Sequence, residues 1–207
     1  MFIAELFEEA AGNLLVVYPG RFQPWHKGHK AVYDGLVKRF GRDHVFVATS
    51  NKVEQPKSPF SFSDKAQFMA LTGVSMDRVV ETTQPYRVPE LIKHYDDTIT
   101  KLIFAISEKD MAEDPRFASW TKKDGTPAYF QPMPTDAAMI RPMAQHAYIM
   151  TVPTVDFTVL GAPMRSATEI RALFAKSKPE TQKKIITDLF GSYNDAVYRI
   201  MQHKLAN

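Results

Sequence analysis

Apolar, β-branched runs alternate along this chain with stretches whose apolar positions recur at helical spacing. Leu14–Tyr18 (LLVVY) reads as a buried strand, and His29–Phe40 after it places Val32, Leu36, Val37 and Phe40 on one helical face. HVFVATS, His44–Ser50, predicts a second strand. Ser63–Gly73 opens on a serine suited to an N-cap and closes on a glycine suited to a C-cap, so it predicts a helix. Arg78–Thr83 predicts a third strand, and Pro89–Asp97 a third helix with proline at its favoured first position. Leu102–Ser107 and Ala147–Val152 predict two further strands. Ser166–Lys176, PETQKKIITDLF and SYNDAVYRIMQHKLA predict helices near the C-terminus. Alternation of this kind is the mark of an α/β protein, a parallel sheet covered by helices on both faces. Its crossovers are right-handed, and its ligands bind outside the carboxyl ends of the strands. The segment 110–146 breaks the pattern. It is rich in proline and turn residues, and predicts a long ordered excursion that shapes the substrate side of the site.

At 207 residues the chain predicts one domain, residues 1–207, with a core over 14–176 and a helical extension over 177–207. Hydrophobic residues make up 44% and charged residues 24%, an ordinary balance for a soluble protein. The net charge of +3 suits anionic ligands but is too small to argue for nucleic acid. The basic stretch KSKPETQKK reads as a solvated helix face. Cysteine is absent, which removes disulfides, thiolate metal sites and cysteine nucleophiles. No apolar run approaches the ~18 residues of a membrane span. The N-terminal MFIAELFEEAAGN is acidic where a secretory signal is basic. It predicts a short amphipathic helix capping the fold, and the whole pattern predicts a cytoplasmic protein.

The chemistry concentrates in residues 20–29, GRFQPWHKGH, which lie between the first strand and the first helix. Gly20 permits close backbone approach, Pro24 stiffens the loop, and Gly28 lets the chain enter the helix with its N–H groups free. A helix start offers those donors and a positive dipole end to an anion. His26 and His29 add ring donors, and Arg21, Lys27 and Lys30 add positive charge. The set suits a polyphosphate. Structural histidines are the competing reading. Metal ligation is the third, and it lacks a third protein ligand nearby. The stretch is neither the G-x-G-x-x-G fingerprint nor a P-loop.

Over its whole length this stretch resembles the G-x-F-x-P-x-H-x-G-H motif of the nucleotidylyltransferase superfamily. The resemblance implies a Rossmann-like fold with the motif at the start of its first helix, where the two histidines contact a nucleoside triphosphate and stabilise transition-state charge. A second family signature, I-S-S-T-x-I-R, is similar to M-R-S-A-T-E-I-R, Met164–Arg171. Ser166, Thr168, Ile170 and Arg171 match. Ala167 replaces a hydroxyl residue, and Arg165 stands where a small or apolar one is common. Independently of the family, Ser166-Ala167-Thr168-Glu169 has the form of a capping box, and a helix start flanked by Arg165 and Arg171 is again suited to an anion. Within the superfamily the chain looks most like the archaeal-type nicotinamide-mononucleotide adenylyltransferases. Their N-P-F-T-x-x-E-R stretch corresponds loosely to S-P-F-S-F-S-D-K, Ser58–Lys65. The R-T-E-G-I-S-T-T stretch of glycerol-3-phosphate cytidylyltransferases is absent, which favours ATP over CTP. The family's G-x-D after the fourth strand corresponds to S-E-K-D, Ser107–Asp110, without the glycine.

The implied reaction is attack by a phosphate oxygen of an acceptor on the α-phosphorus of ATP, with loss of pyrophosphate. The acceptor suggested is nicotinamide mononucleotide, giving NAD. CTP with a polyol or sugar phosphate, and a nucleotide-binding module without catalysis, are the alternatives. His26, His29 and Arg171 take the catalytic roles. Gly20, Arg21, Phe22, Gln23, Lys27, Gly28, Ile106, Asp110, Arg165, Ser166 and Thr168 bind the nucleotide, with Lys52 a weaker candidate. Trp25 and Trp120 are candidates to stack on a ring, the buried role being preferred for Trp120. Mg²⁺ would arrive with the nucleotide and keep most of its waters, so no protein metal cage is expected. The partners implied are ATP or CTP and a small phosphorylated acceptor, without membrane or nucleic acid. A homo-oligomer is compatible with all of this.

Overall fold

Strand β1 (Leu14–Pro19) is buried along its whole length, as an apolar run without polar alternation requires. Its side chains divide by parity. Leu14, Val16 and Tyr18 join one apolar cluster, while Leu15 and Val17 join another, because successive strand residues point to opposite faces. The computed structural model describes residues 14–113, 119–164 and 166–205. The predicted N-terminal helix lies outside them.

After β1 come α1 (Lys27–Phe40), β2 (Val45–Thr49), α2 (Phe62–Leu71), β3 (Val79–Glu81), α3 (Pro89–Ile92), β4 (Lys101–Ser107) and α4 (Glu108–Glu113). Then follow β5 (Phe130–Pro132), β6 (Ala147–Val152), a hairpin of β7 (Phe157–Val159) and β8 (Ala162–Met164), and the helices α5 (Ala167–Lys176), α6 (Pro179–Phe190) and α7 (Asp195–Leu205). One sheet runs in the order β3-β2-β1-β4-β6-β5, with every neighbouring pair parallel. This is the Rossmann-like three-layer arrangement. One face carries Phe40, Phe68, Phe174 and Ile186 from α1, α2, α5 and α6. The other carries Phe46, Phe104 and Ile149 of the sheet with Leu91 of α3. Ile185, Leu189 and Met201 belong to the same cluster as Val16 and Val47, so the C-terminal helices help to build the core rather than extend beyond it.

Four local expectations change. Helix α2 is capped by Ser61, not Ser63: Ser61 has an acid three residues on, and Asp64 closes a reciprocal capping box. Helix α3 has proline at its start as expected but stops at Ile92. Beyond it the chain turns, with Asp97 O accepting from Ala144 N–H and Asp96 O from Thr100 N–H. The excursion after residue 110 supplies the sheet's edge strand β5 and packs Trp120 and Phe130 on the second cluster. Of its described residues only Asp110 lines the cleft described below. The helix α4 and the β7–β8 hairpin are additions to the sequence-based expectation. Among the described residues no helix is long and apolar enough to cross a membrane.

From β1 the chain builds outward through β2 and β3, then returns to β4 and builds the other way to β6. The order therefore reverses between β1 and β4. The loops leaving their carboxyl ends diverge, and a crevice opens between them.

Candidate active site

The loop after β1 is shaped by its own aromatics. Phe22 sits at φ 46, a conformation that costs a non-glycine residue ~1–3 kcal/mol. It is held there by edge-on packing against Tyr18 at 5.3 Å, Trp25 at 5.1 Å and His29 at 5.0 Å between ring centroids. The Phe22 ring folds back so closely that a Cβ on Gly20 would lie 2.6 Å from Phe22 Cζ. That close approach is why glycine stands at position 20. Trp25 is fully buried and its Nε1–H donates to Thr72 Oγ1 at 3.0 Å, so it is a core residue and is not free to stack on a ligand. The Gln23 side chain clasps the Phe60 main chain, donating to its carbonyl and accepting from its N–H, both at 2.9 Å. This clasp fixes the SPF stretch that leads into the Ser61 cap.

His26 is the N-cap of α1, and its Nδ1 accepts from the Gly28 N–H at 3.2 Å. A ring nitrogen that accepts carries no proton, so neutral His26 keeps its proton on Nε2. That Nε2–H is the polar group His26 has left to offer the cleft. His29 stacks on His26 with ring centroids 3.7 Å apart, and its Nδ1 is buried without a hydrogen-bond partner. Burial, and then the neighbouring His29, hold His26 well below the usual histidine range, while burial brings His29 down to about 3. Both rings are therefore neutral donors at pH 7.

Helix α5 faces this pair. Ser166 is its N-cap, accepting from the Glu169 N–H at 3.3 Å. The Glu169 carboxylate accepts from the Ser166 hydroxyl at 3.2 Å. Arg171, one turn on, donates through Nη1 to the Gln23 carbonyl and through Nη2 to Thr168 Oγ1 at 3.1 Å. Burial, and then the charge of Arg21, lower the Arg171 guanidinium from its ordinary value. Two arginines facing one another across a crevice are a receptor for an anion.

The crevice is an open cleft of about 490 Å³, a size typical of small-molecule sites. It brings together Gly20, Arg21, Phe22, Gln23, His26, Gly28, His29, Asp110, Ser166, Thr168 and Arg171 of the expected residues. It does not include Lys27, which pairs with Asp188 of α6 at 2.6 Å, or Ile106, which is buried within β4. Lys52 pairs with Glu54 at 3.2 Å, and Lys30 with Asp34 at 2.6 Å. Arg165 lies outside the described residues. The cleft adds two cations, Lys57 and Lys109, together with Asp156. Lys57 stands two residues before Pro59 of the SPF stretch and Lys109 one before Asp110, positions where a surface lysine carries no pattern of its own. Asp110 accepts from the Ser107 hydroxyl at 2.9 Å, and its charge joins burial in pushing the Tyr18 hydroxyl upward. Among the described residues no group of three or more histidines and carboxylates is arranged to hold a metal ion.

The depressed histidines set a pH dependence. The unfolded chain takes up their protons near 6.5, before the folded chain does. Their contribution is therefore complete above that value and declines as the pH falls toward about 3, where His29 itself titrates. Each can steepen the loss by at most ~1.4 kcal/mol per pH unit. Urea melts between pH 6.5 and 5 should show stability falling with pH, and the slope should flatten in His29→Asn. An equal slope in parent and variant would remove His29 from the acid response.

A family model described as cytidylyltransferase-like matches residues 17–173, a span that contains both helix starts. The nicotinamide-nucleotide adenylyltransferase 1 of Sulfolobus acidocaldarius is 29% identical over 68 residues, 31% of this chain and 39% of that protein. The nicotinamide-nucleotide adenylyltransferase of Methanocorpusculum labreanum is 32% identical over 62 residues, 29% of this chain and 37% of that protein. The chain thus spans less than half the length of these curated relatives. Among solved structures, a bifunctional NMN adenylyltransferase/ADP ribose pyrophosphatase from Francisella tularensis superposes with a TM-score of 0.50 at 18% identity, over 93% of this chain and 49% of that one. That likeness is one of fold.

Proposed function

The chain belongs to the cytidylyltransferase-like family, and on that premise we propose that it is a nucleotidyltransferase, moving the AMP unit of ATP onto the phosphate of nicotinamide mononucleotide and releasing pyrophosphate. The observation that carries this reading is the convergence of two neutral imidazoles and two arginines on one cleft at the switch point of the sheet. A phosphate oxygen of the acceptor attacks the α-phosphorus in line, and the P–O bond to the β-phosphate breaks. No protein nucleophile is needed. His26 and His29 donate hydrogen bonds to oxygens on which charge grows, from rings already fixed in place. Arg21, Arg171, Ser166 and Thr168 hold the outgoing phosphates beside the α5 start. Lys57 and Lys109 add charge for the phosphate of the acceptor. The donor set of the cleft fits a hydrated Mg²⁺ carried by the phosphates, with Asp110 and Asp156 as carboxylates for its waters. Bound there, Mg²⁺ would neutralise phosphate charge.

Nicotinamide mononucleotide is favoured by the curated relatives' names and by the absence of the cytidylyltransferase stretch. The test is pyrophosphate release with Mg²⁺, crossing ATP and CTP against nicotinamide mononucleotide and a panel of polyol and sugar phosphates. Release confined to ATP with nicotinamide mononucleotide is the expected result. Release with CTP and another acceptor would keep the chemistry and replace both substrates. No release with any pair would remove the enzyme reading.

A further inference from the structure

We propose that Phe157 is a positioning residue for the two imidazoles, and that the Asp188 carboxylate sets it by tying its hairpin to the start of α1. This rests on the reading of His26 and His29 as donors to the triphosphate. The rings of Phe157, His26 and His29 form one stack, with centroid spacings of 4.3 Å and 3.7 Å and tilts of 23° and 27°. At its inner end the stack meets Phe22 edge-on and Trp25 at 5.6 Å. Those two residues belong to the same loop as His26, with Phe22 packed on Tyr18 and Trp25 tied to Thr72. Phe157 arrives from β7, far along the chain, so the outer face of His26 depends on where that hairpin sits.

Three contacts hold the hairpin there. Val159 is fully buried in the main core cluster. The Asp188 carboxylate accepts from Leu160 N–H at the hairpin turn through Oδ2 and from Lys27 Nζ through Oδ1, each at 2.6 Å. Lys27 is the residue between His26 and Gly28, so one carboxylate grips both sides of the Phe157–His26 contact. Gly28 leaves the space: a Cβ there would lie 3.0 Å from Phe157 Cδ1. The turn itself is strained, with Leu160 at φ 51 and Gly161 at φ 82. Two successive positive φ values suit a type I′ hairpin, in which a leucine at the first position is costly. The Asp188 contact offsets that cost.

A ring held between two others can aim its Nε2–H in one direction only. The same cover withholds water from His26 and keeps it neutral amid the charges of the cleft, Arg21, Lys57, Lys109, Asp110, Asp156 and Arg171. Phe157→Leu keeps apolar volume and removes the flat face, whereas Phe157→Tyr keeps the face. We expect kcat for pyrophosphate release to fall ~10- to 100-fold in Phe157→Leu, with KM for the triphosphate within about threefold, and to recover in Phe157→Tyr. By NMR the His26 ring should titrate closer to 6.5 in Phe157→Leu and stay depressed in Phe157→Tyr. If Phe157→Leu fails to fold, Asp188→Asn carries the same two readouts from outside the core. An unmoved His26 titration, or Phe157→Tyr as damaged as Phe157→Leu, would overturn the assignment. The titration needs no substrate, so it decides the role of Phe157 even if the parent protein transfers no nucleotide.

Discussion

Replacing His29 by alanine is expected to lower turnover ~10²- to 10³-fold, the range for removing one fixed donor to a developing oxyanion, while the Kd for ATP changes by no more than about threefold. The asymmetry follows from the ring's charge. His29 is held neutral, with burial pulling it down to about 3, so it attracts the ground-state triphosphate weakly. Its hydrogen bond strengthens as charge moves onto the phosphate oxygens, which is the condition for acting on kcat rather than on binding. His26 makes a less clean test, because it also caps α1 through Gly28, and losing a cap costs ~1 kcal/mol of stability. Single-turnover rates with saturating acceptor, beside calorimetric ATP binding, separate the two quantities. A tenfold loss of ATP affinity with the single-turnover rate unchanged would mean that His29 binds phosphate without serving the transition state. Equal turnover in variant and parent would remove it from the reaction.

The parts of this fold that were legible in sequence are those where one physical signal dominates. Strands buried along most of their length leave nearly continuous apolar runs, and β1, β4 and β6 lie within about a residue of their expected limits. The cap with a side-chain signature at Ser166 before α5 was legible too, as was the helix that starts at Pro179. Where two signals compete the pattern misleads. Ser61 and Ser63 both look like caps, and only the acid at 64 decides between them. Strand β5 has three residues, one of them proline, and such a piece is stable only on a sheet edge that the sequence does not reveal. The β7–β8 turn uses Leu-Gly where Asn-Gly would be diagnostic, so its strain is compensated from α6, in a contact between residues 28 positions apart.

The same logic divides the site. The histidine loop was legible because its chemistry is local: a helix start, two ring donors and the glycines that make room for them. What each side chain does there was less legible, because neighbours far away in sequence spend it on other bonds. Lys27 lies inside the motif and turns to Asp188. Trp25 lies inside it and is sealed against Thr72. Gln23 lies inside it and spends its amide on Phe60. In the other direction Lys57 and Phe157 reach the cleft only because the clasp on Phe60 and the tether at Asp188 carry their segments there. A motif names the loop that meets the ligand, and long-range packing decides which of its residues remain free to do so.

Arginine 171 joins these two levels, and its replacement by alanine should separate activity from stability. The guanidinium links α5 to the first loop through the Gln23 carbonyl and stands against the like charge of Arg21. In the free protein the variant loses the bonds to the Gln23 carbonyl and Thr168 Oγ1, a charge-assisted pair on the scale of ~1.5–3 kcal/mol, and relief of the repulsion between two cations offsets part of it. The Tm of Arg171→Ala should therefore fall by only a few degrees. With the triphosphate bound, that repulsion becomes attraction of both arginines to one anion, and the variant loses it in full. We expect kcat/KM to fall ~10²- to 10³-fold, on the scale of losing a charge-assisted, geometrically fixed donor. Arg171→Lys should recover little, since a point charge cannot hold the Gln23 carbonyl, Thr168 and a phosphate in one planar fork. Thermal melts beside steady-state kinetics for the parent and both variants test this. A kcat/KM that follows Tm downward would make Arg171 a structural strut between loop and helix. An unchanged kcat/KM would take the α5 start out of the phosphate site and leave the histidine loop to bind the triphosphate alone.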